Sequence, residues 1–271
     1  MNDKNETLQQ LHNILLDMLI ELDRICKKYD IHYFLDSGSA LGAIRHGGFI
    51  PWDDDLDIGL VRSEYNRFLK VAAKELDSKY ALQTRETDPY YHKLHAKIRK
   101  LNTYYPEKTS NPKAYNGIFI DIFPFDQVPD NKYVYKVNKA FRQYCRSRMR
   151  IARFKEFRVS PYKKFLGWVF DHTTDTLFAN LYVWASSLYN NNGSNRYLTC
   201  YEYTMCQHKL KLFKPEWMYP SVPVKFENHE FLIMNGYHEY LQEMYNDYMQ
   251  LPPEGKRGFH CSEEILFNTA Y

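Results

Sequence analysis

Four aspartates fall within five positions, Asp53, Asp54, Asp55 and Asp57, in the run W-D-D-D-L-D-I from Trp52 to Ile58. Carboxylates this close repel one another and raise each other's pKa unless a cation neutralises them. Leu56 and Ile58 interrupt the acids, which a solvated acidic loop does not require. In a strand, residues two apart share a face. Asp55 and Asp57 therefore lie together while Leu56 and Ile58 turn into the core. Two hard oxygen ligands, with waters and phosphates completing the shell, suit Mg²⁺, with Mn²⁺ as the alternative. A further acid, Asp121, stands inside the apolar stretch I-F-I-D-I-F. Burying it unpaired is costly, so it needs a metal, a cation or a donor network. If its strand lies beside that of Asp57, then Asp55, Asp57 and Asp121 converge as metal ligands and catalytic carboxylates. Asp121 is then also placed to draw the proton from an attacking hydroxyl.

The surrounding pattern predicts the frame for these acids. Leu8, Leu11, Leu15, Met18, Leu22, Ile25 and Tyr29 recur at steps of three and four, the stripe of a helix over about 6–29 that packs on its own domain. Residues 31–35 read as a short buried strand, 36–39 as a turn, and 40–45 as a short helix broken by Gly47-Gly48. A strand over 56–61 leads to a helix capped by Ser63 and running to about Tyr80. Lys93 to Arg99 alternate as a half-buried strand. Gly117 to Phe123 form an apolar strand ended by Pro124 and Pro129. Residues 131 to about 190 are helical and inserted. A hairpin over 222–226 and 230–234 precedes a helix over 237–249. The division expected is a catalytic core with its N-terminal helix (1–130), an inserted helical segment (131–195) and a part completing the core on the acceptor side (196–271).

Between the strand and the short helix, Gly38-Ser39 offers backbone N–H groups and a hydroxyl to a phosphate. Arg45 carries a fork suited to phosphate oxygens, and His46 can bind phosphate or simply hold the loop. Lys93 and Lys97 share one strand face and can reach a diphosphate, although a solvated strand face is the preferred reading. His260 is a weaker candidate.

The stretch G-S-x-L-G-A-x-R-H-x-G-F-I-P-W-D-D-D-x-D, residues 38–57, resembles the signature of the LicD family. N-G-I-F-I-D-I-F-P-F-D, 116–126, resembles its second block, and Phe226-Glu227 with the run 240–253 its C-terminal block. The resemblance implies an α+β fold: a nucleotidyltransferase-like mixed β-sheet core with flanking helices and an inserted helical segment. It also implies metal-dependent transfer of a phospho-alcohol, phosphocholine above all, from a CDP-alcohol such as CDP-choline to a hydroxyl of a lipid-linked or cell-wall glycan. Teichoic acid or lipopolysaccharide precursors are the expected acceptors, and CMP leaves. The rivals are a nucleotidyltransferase acting on RNA or a small molecule with release of pyrophosphate, and a non-catalytic membrane- or RNA-binding module.

Charge is unevenly spread. Residues 131–164 hold twelve Lys and Arg against Glu156 alone, in a chain whose net charge is +3. Aromatic residues are interleaved with them. This composition suits peripheral contact with an anionic membrane, with no nucleic acid expected as partner. Residues 1–10 lack the basic start and apolar run of a signal peptide, and no stretch has the length of a membrane span. The expected location is cytoplasmic, at or near the inner face of the membrane. Five scattered cysteines make no disulfide framework, and Cys200, Cys206 and His208 match no zinc pattern.

Overall fold

The computed structural model describes residues 2–107, 111–152, 160–169, 172–190, 196–202, 210–257 and 265–269. His260, Cys206, His208 and the basic residues Arg153, Lys155 and Arg158 lie outside the described residues. The chain forms two compact units, Met1–Phe125 with Glu202–Tyr271, and Asp126–Tyr201.

In the first unit, α1 (Asn2–Lys28) buries Leu8, Leu11, Leu15, Met18, Leu22 and Ile25, the predicted stripe without Tyr29, which follows the helix half-buried, together with Leu19 and Cys26. β1 (Phe34–Leu35) is shorter than expected. The predicted turn after it is already helix: α2 runs Ser37–His46, with Asp36 as N-cap accepting from the Ser37 N–H. It ends at Gly47, whose φ of 70° is the left-handed conformation that glycine adopts without strain. β2 (Asp57–Val61) follows, then α3 (Arg62–Glu75). α3 starts without a side-chain cap and stops at Glu75. The expected extension to Tyr80 is instead a turn, closed by the Tyr80 N–H on the Asp77 carbonyl. It leads into an unforeseen edge strand, β3 (Tyr80–Gln83).

β4 (Ala96–Lys100) buries residues on both faces, not one. β5 (Phe119–Val128) passes straight through Pro124. The Asp121 N–H donates to Leu56 on the β2 side, so position 124, three residues on, would aim its N–H at the opposite edge. There, pairing with β4 stops at Ile122 and pairing with β6 (Tyr197–Thr199) starts only at Asp126. Proline therefore removes no ladder hydrogen bond. The predicted hairpin is present as β7 (Val222–Phe226) and β8 (His229–Ile233).

The sheet order in the first unit is β3-β4-β5-β2-β1-β8-β7, and β6 pairs with the end of β5. β2 and β5 run parallel, as do β1 and β8, while the other pairs are antiparallel. This is the mixed sheet with flanking helices that the α+β reading calls for. Gly59 sits at its centre, where a Cβ would lie 2.1 Å from Phe34 Cε2 and 2.9 Å from Phe125 Cε2. Those rings meet edge to face at 5.1 Å. Gly59→Ala should cost about 1–3 kcal/mol by overpacking, read as a lower denaturant midpoint with an unchanged slope.

In the second unit, α4 (Lys132–Ala152) and α6 (His172–Ser187) form the main packing pair, with α5 (Pro161–Val169) beside them. Asn138 and Arg142 of α4 are buried; Asn138 donates to the Ala185 carbonyl, and Arg142 to the Asn138 side chain. The C-terminal part of the first unit adds the short α7 (Pro215–Met218) and α8 (Tyr237–Tyr245). Among the described residues no helix is long and apolar enough to cross a membrane, and Cys26, Cys145 and Cys200 are buried.

Candidate active site

The sheet register places the acids in a row. Asp57 lies directly opposite Asp121 across the parallel β2–β5 pair, and Asp121 lies opposite Lys97 across β5–β4. On the other side, the Asp36 N–H donates to the Asp57 carbonyl at 2.9 Å. Three strands and the N-cap of α2 therefore carry the line Asp36, Asp57, Asp121, Lys97. The convergence of Asp57 and Asp121, conditional in the sequence, follows from this pairing. Like charges directly opposite destabilise a sheet, so such a row needs compensation.

The two central acids receive opposite treatment. Burial, then the fields of Asp55, Asp121, Asp36 and Asp53, push Asp57 well above the usual carboxylate range. Asp121 is buried as well, which alone would raise it, yet Lys97 and His95 hold it well below that range. Lys97 Nζ is 2.6 Å from Asp121 Oδ1, and His95 Nε2 is 2.9 Å from the same oxygen. Lys97 is fully buried. Burial pulls its ammonium down to about 7, against the opposing pull of Asp121 and Glu107. Glu107 gathers Lys93 at 2.5 Å, Lys97 at 3.3 Å and Arg99 at 2.9 Å. In place of the solvated strand face expected for Lys93 and Lys97 stands an ionic cluster, fully buried at Lys97 and half-buried at Lys93, gathered around Asp121 and Glu107. His95, Glu107 and Arg99 were not foreseen. The only sequence signal was the density of Lys, His and Arg on one alternating register of 93–99.

The other predicted residues make contacts different from those expected. Ser39 Oγ accepts the Asp57 N–H at 2.8 Å, so the serine ties α2 to β2. At Gly38 a Cβ would lie 2.7 Å from Asp53 Oδ2, and the missing side chain lets that carboxylate close over the first turn of α2. Asp54 turns inward and accepts from the Tyr105 hydroxyl at 2.6 Å. Arg45 donates to the backbone carbonyls of Tyr248 and Gln250, at 2.9 and 3.4 Å. His46 meets Trp52 edge to face at 5.9 Å.

Two tyrosines of α8 complete the surroundings. The Tyr240 hydroxyl donates to Asp36 Oδ1. Burial and then the fields of Asp57, Asp36, Asp53 and Asp55 push the Tyr245 phenol well above its ordinary value. Next to the Asp53 loop, α1 borders a cleft of about 370 Å³ lined by Gln9, His12, Asn13, Phe49 and Glu227 among others. His12 stacks on Phe49 at 4.3 Å, and its Nε2 is 2.7 Å from the Asp53 carbonyl oxygen. Glu227 Oε1 accepts from the Phe49 N–H.

Asp55 and Asp57 fit the hard-ligand requirement of a Mg²⁺ that shares its shell with substrate phosphates. The raised Asp57 marks negative charge that a cation would compensate. Asp121 differs, since Lys97 already meets its charge. Among the described residues, no three His, Cys, Asp or Glu side chains are grouped so as to hold a metal by themselves.

A family model described as "LicD/FKTN/FKRP, nucleotidyltransferase domain" matches residues 30–165, which include the whole row of acids. Across 96% of its length the chain is 32% identical to the lipopolysaccharide cholinephosphotransferase LicD of Haemophilus influenzae, covering 98% of that protein. A shorter match, 57% identical over 48 residues, links it to the ribitol 5-phosphate transferase FKRP of Homo sapiens. It covers 18% of this chain and 10% of that one. The enzyme class is thereby established: a phosphotransferase. The chain belongs to the LicD/FKTN/FKRP family.

Proposed function

We propose that the chain transfers phosphocholine from CDP-choline to a hydroxyl of a cell-surface glycan precursor, a lipopolysaccharide or teichoic acid intermediate carried on lipid. The end-to-end similarity to a lipopolysaccharide cholinephosphotransferase carries this reading. The similarity to a ribitol 5-phosphate transferase keeps the class of cargo at phospho-alcohols. The acceptor oxygen forms a bond to the phosphorus bearing the alcohol, the bond from that phosphorus to the bridging oxygen breaks, and CMP leaves. Asp55 and Asp57 would hold Mg²⁺ together with the donor diphosphate, and the ion would supply charge neutralisation on the phosphoryl oxygens. Asp121, kept ionised by Lys97 and His95, accepts the hydrogen bond of the attacking hydroxyl and draws its proton. Ser39 and Gly38 fix the position of Asp57 and Asp53. The amide and carboxylate side chains of the α1 cleft suit a hydroxyl-rich group.

The test is product analysis of the purified chain with Mg²⁺, CDP-choline and a glycan acceptor. Release of CMP together with choline in the glycan is the expected result. CMP release with CDP-ribitol alone would change the cargo. Release of pyrophosphate from a nucleoside triphosphate, with no CMP from any CDP-alcohol, would replace the reading by nucleotidyl transfer.

A further inference from the structure

The transfer chemistry leaves the basic segment unused, and the second unit shows what surface it makes. α4 turns Asn138, Arg142, Cys145 and Met149 inward. Its outer side shows Tyr133, Val137 and Tyr144 to solvent, with Lys132, Lys136 and Lys139 also exposed. α5 goes further. Tyr162, Phe165 and Trp168 are 70%, 58% and 74% exposed, and steps of three keep them along one side of the helix. The Phe165 and Trp168 rings lie 6.3 Å apart with 29° between their planes. Lys163 and Lys164, between Tyr162 and Phe165 in sequence, are exposed too. Aromatic area of this extent left in water marks a surface that meets a partner.

We propose that α5 seats Tyr162, Phe165 and Trp168 at the headgroup boundary of an anionic lipid membrane, with the exposed lysines of α4 and α5 on lipid phosphates. Aromatic rings gather at that boundary, and basic side chains beside them are drawn by the surface potential of anionic lipids. An RNA strand would meet the same lysines, but a base inserted between Phe165 and Trp168 needs roughly 7 Å, two van der Waals contacts, and the rings stand closer. The surface lies wholly in the second unit, so the inference stands or falls independently of the cargo and the reaction.

The full-length chain is mixed with vesicles of phosphatidylcholine alone, or of phosphatidylcholine and phosphatidylglycerol at about 2:1, and floated. The expected result is binding to the anionic vesicles only, weakened by salt. Phe165→Ser/Trp168→Ser should abolish it with an unchanged unfolding transition. Lys163→Glu/Lys164→Glu should weaken it about tenfold or more. A wild-type chain that ignores anionic vesicles would overturn the proposal, as would a serine variant that still floats. So would binding to single-stranded RNA that persists in the serine variant and displaces the vesicles, or a serine variant altered only in oligomeric state.

Discussion

Asp57→Asn is expected to lose transfer by about a thousandfold or more and yet to melt at least as high as the parent at neutral pH. The acid stands opposite Asp121 and within the fields of Asp55, Asp36 and Asp53, and its pKa is pushed up in the fold. A carboxyl whose folded pKa lies above its unfolded one binds its proton more tightly when folded. It contributes stability at low pH that disappears as pH rises past the ordinary carboxylate value. At neutral pH the charge is a cost, and asparagine removes it. Each kcal/mol relieved raises Tm by about 2–4 °C in a chain of this size. The gain should shrink as the pH is lowered towards about 4, where the parent's Asp57 is neutral as well. Mg²⁺ with the nucleotide donor should raise the parent's Tm and leave that of the variant unchanged. A variant that melts lower than the parent across this range would show that the row is not under repulsive strain. Retained transfer would remove Asp57 from the reaction.

The second large effect is expected on the opposite flank. Lys97→Met strips the buried Asp121 and Glu107 of a shared cation. Removing one partner of a buried ion pair costs about 3–5 kcal/mol, because the remaining charge stays buried and uncompensated. Tm should fall by about 10 °C. Adding Asp121→Leu removes the stranded charge, while Lys93 and Arg99 still neutralise Glu107. The double variant should recover much of the loss, giving a large coupling between the two sites. A single variant within about 2 °C of the parent would mean that Lys97 is not what holds Asp121 ionised.

These two residues also show how far the sequence could be read. Asp57 was legible because Leu56 and Ile58 alternate with the acids, and alternation betrays a strand whatever its surroundings. Asp121 was legible because one carboxylate in I-F-I-D-I-F demands a partner. Their direct opposition was stated as a condition, since nothing local determines which strands become neighbours. Lys97 was misjudged for a related reason. A strand reading polar on alternate residues is normally wet on that side, and only a carboxylate from another strand makes burial of lysine tolerable. Asp36, Tyr240 and Tyr245 escaped notice because their partners are remote in the chain. Pro124 was read as a terminator because a strand interior normally forbids it. The exception depends on β4 and β6, which share the edge opposite β2, both leaving that position unpaired. The predicted end of α3 failed because a helical apolar spacing and the start of an edge strand share Tyr80.

Pro124 has a further consequence. All the charged members of the row lie between positions 36 and 121, and the pairing of β5 with β4 that sets Lys97 against Asp121 is complete before the proline. Beyond it, β5 has already exchanged one neighbour for another, and the chain enters a unit of separate construction. The gap in the ladder is a natural splice point. Lineages can lengthen, shorten or restyle residues 126–201 without shifting the register that sets Asp57 against Asp121. The acid row and the surface of the second unit therefore rest on separate stretches of the fold.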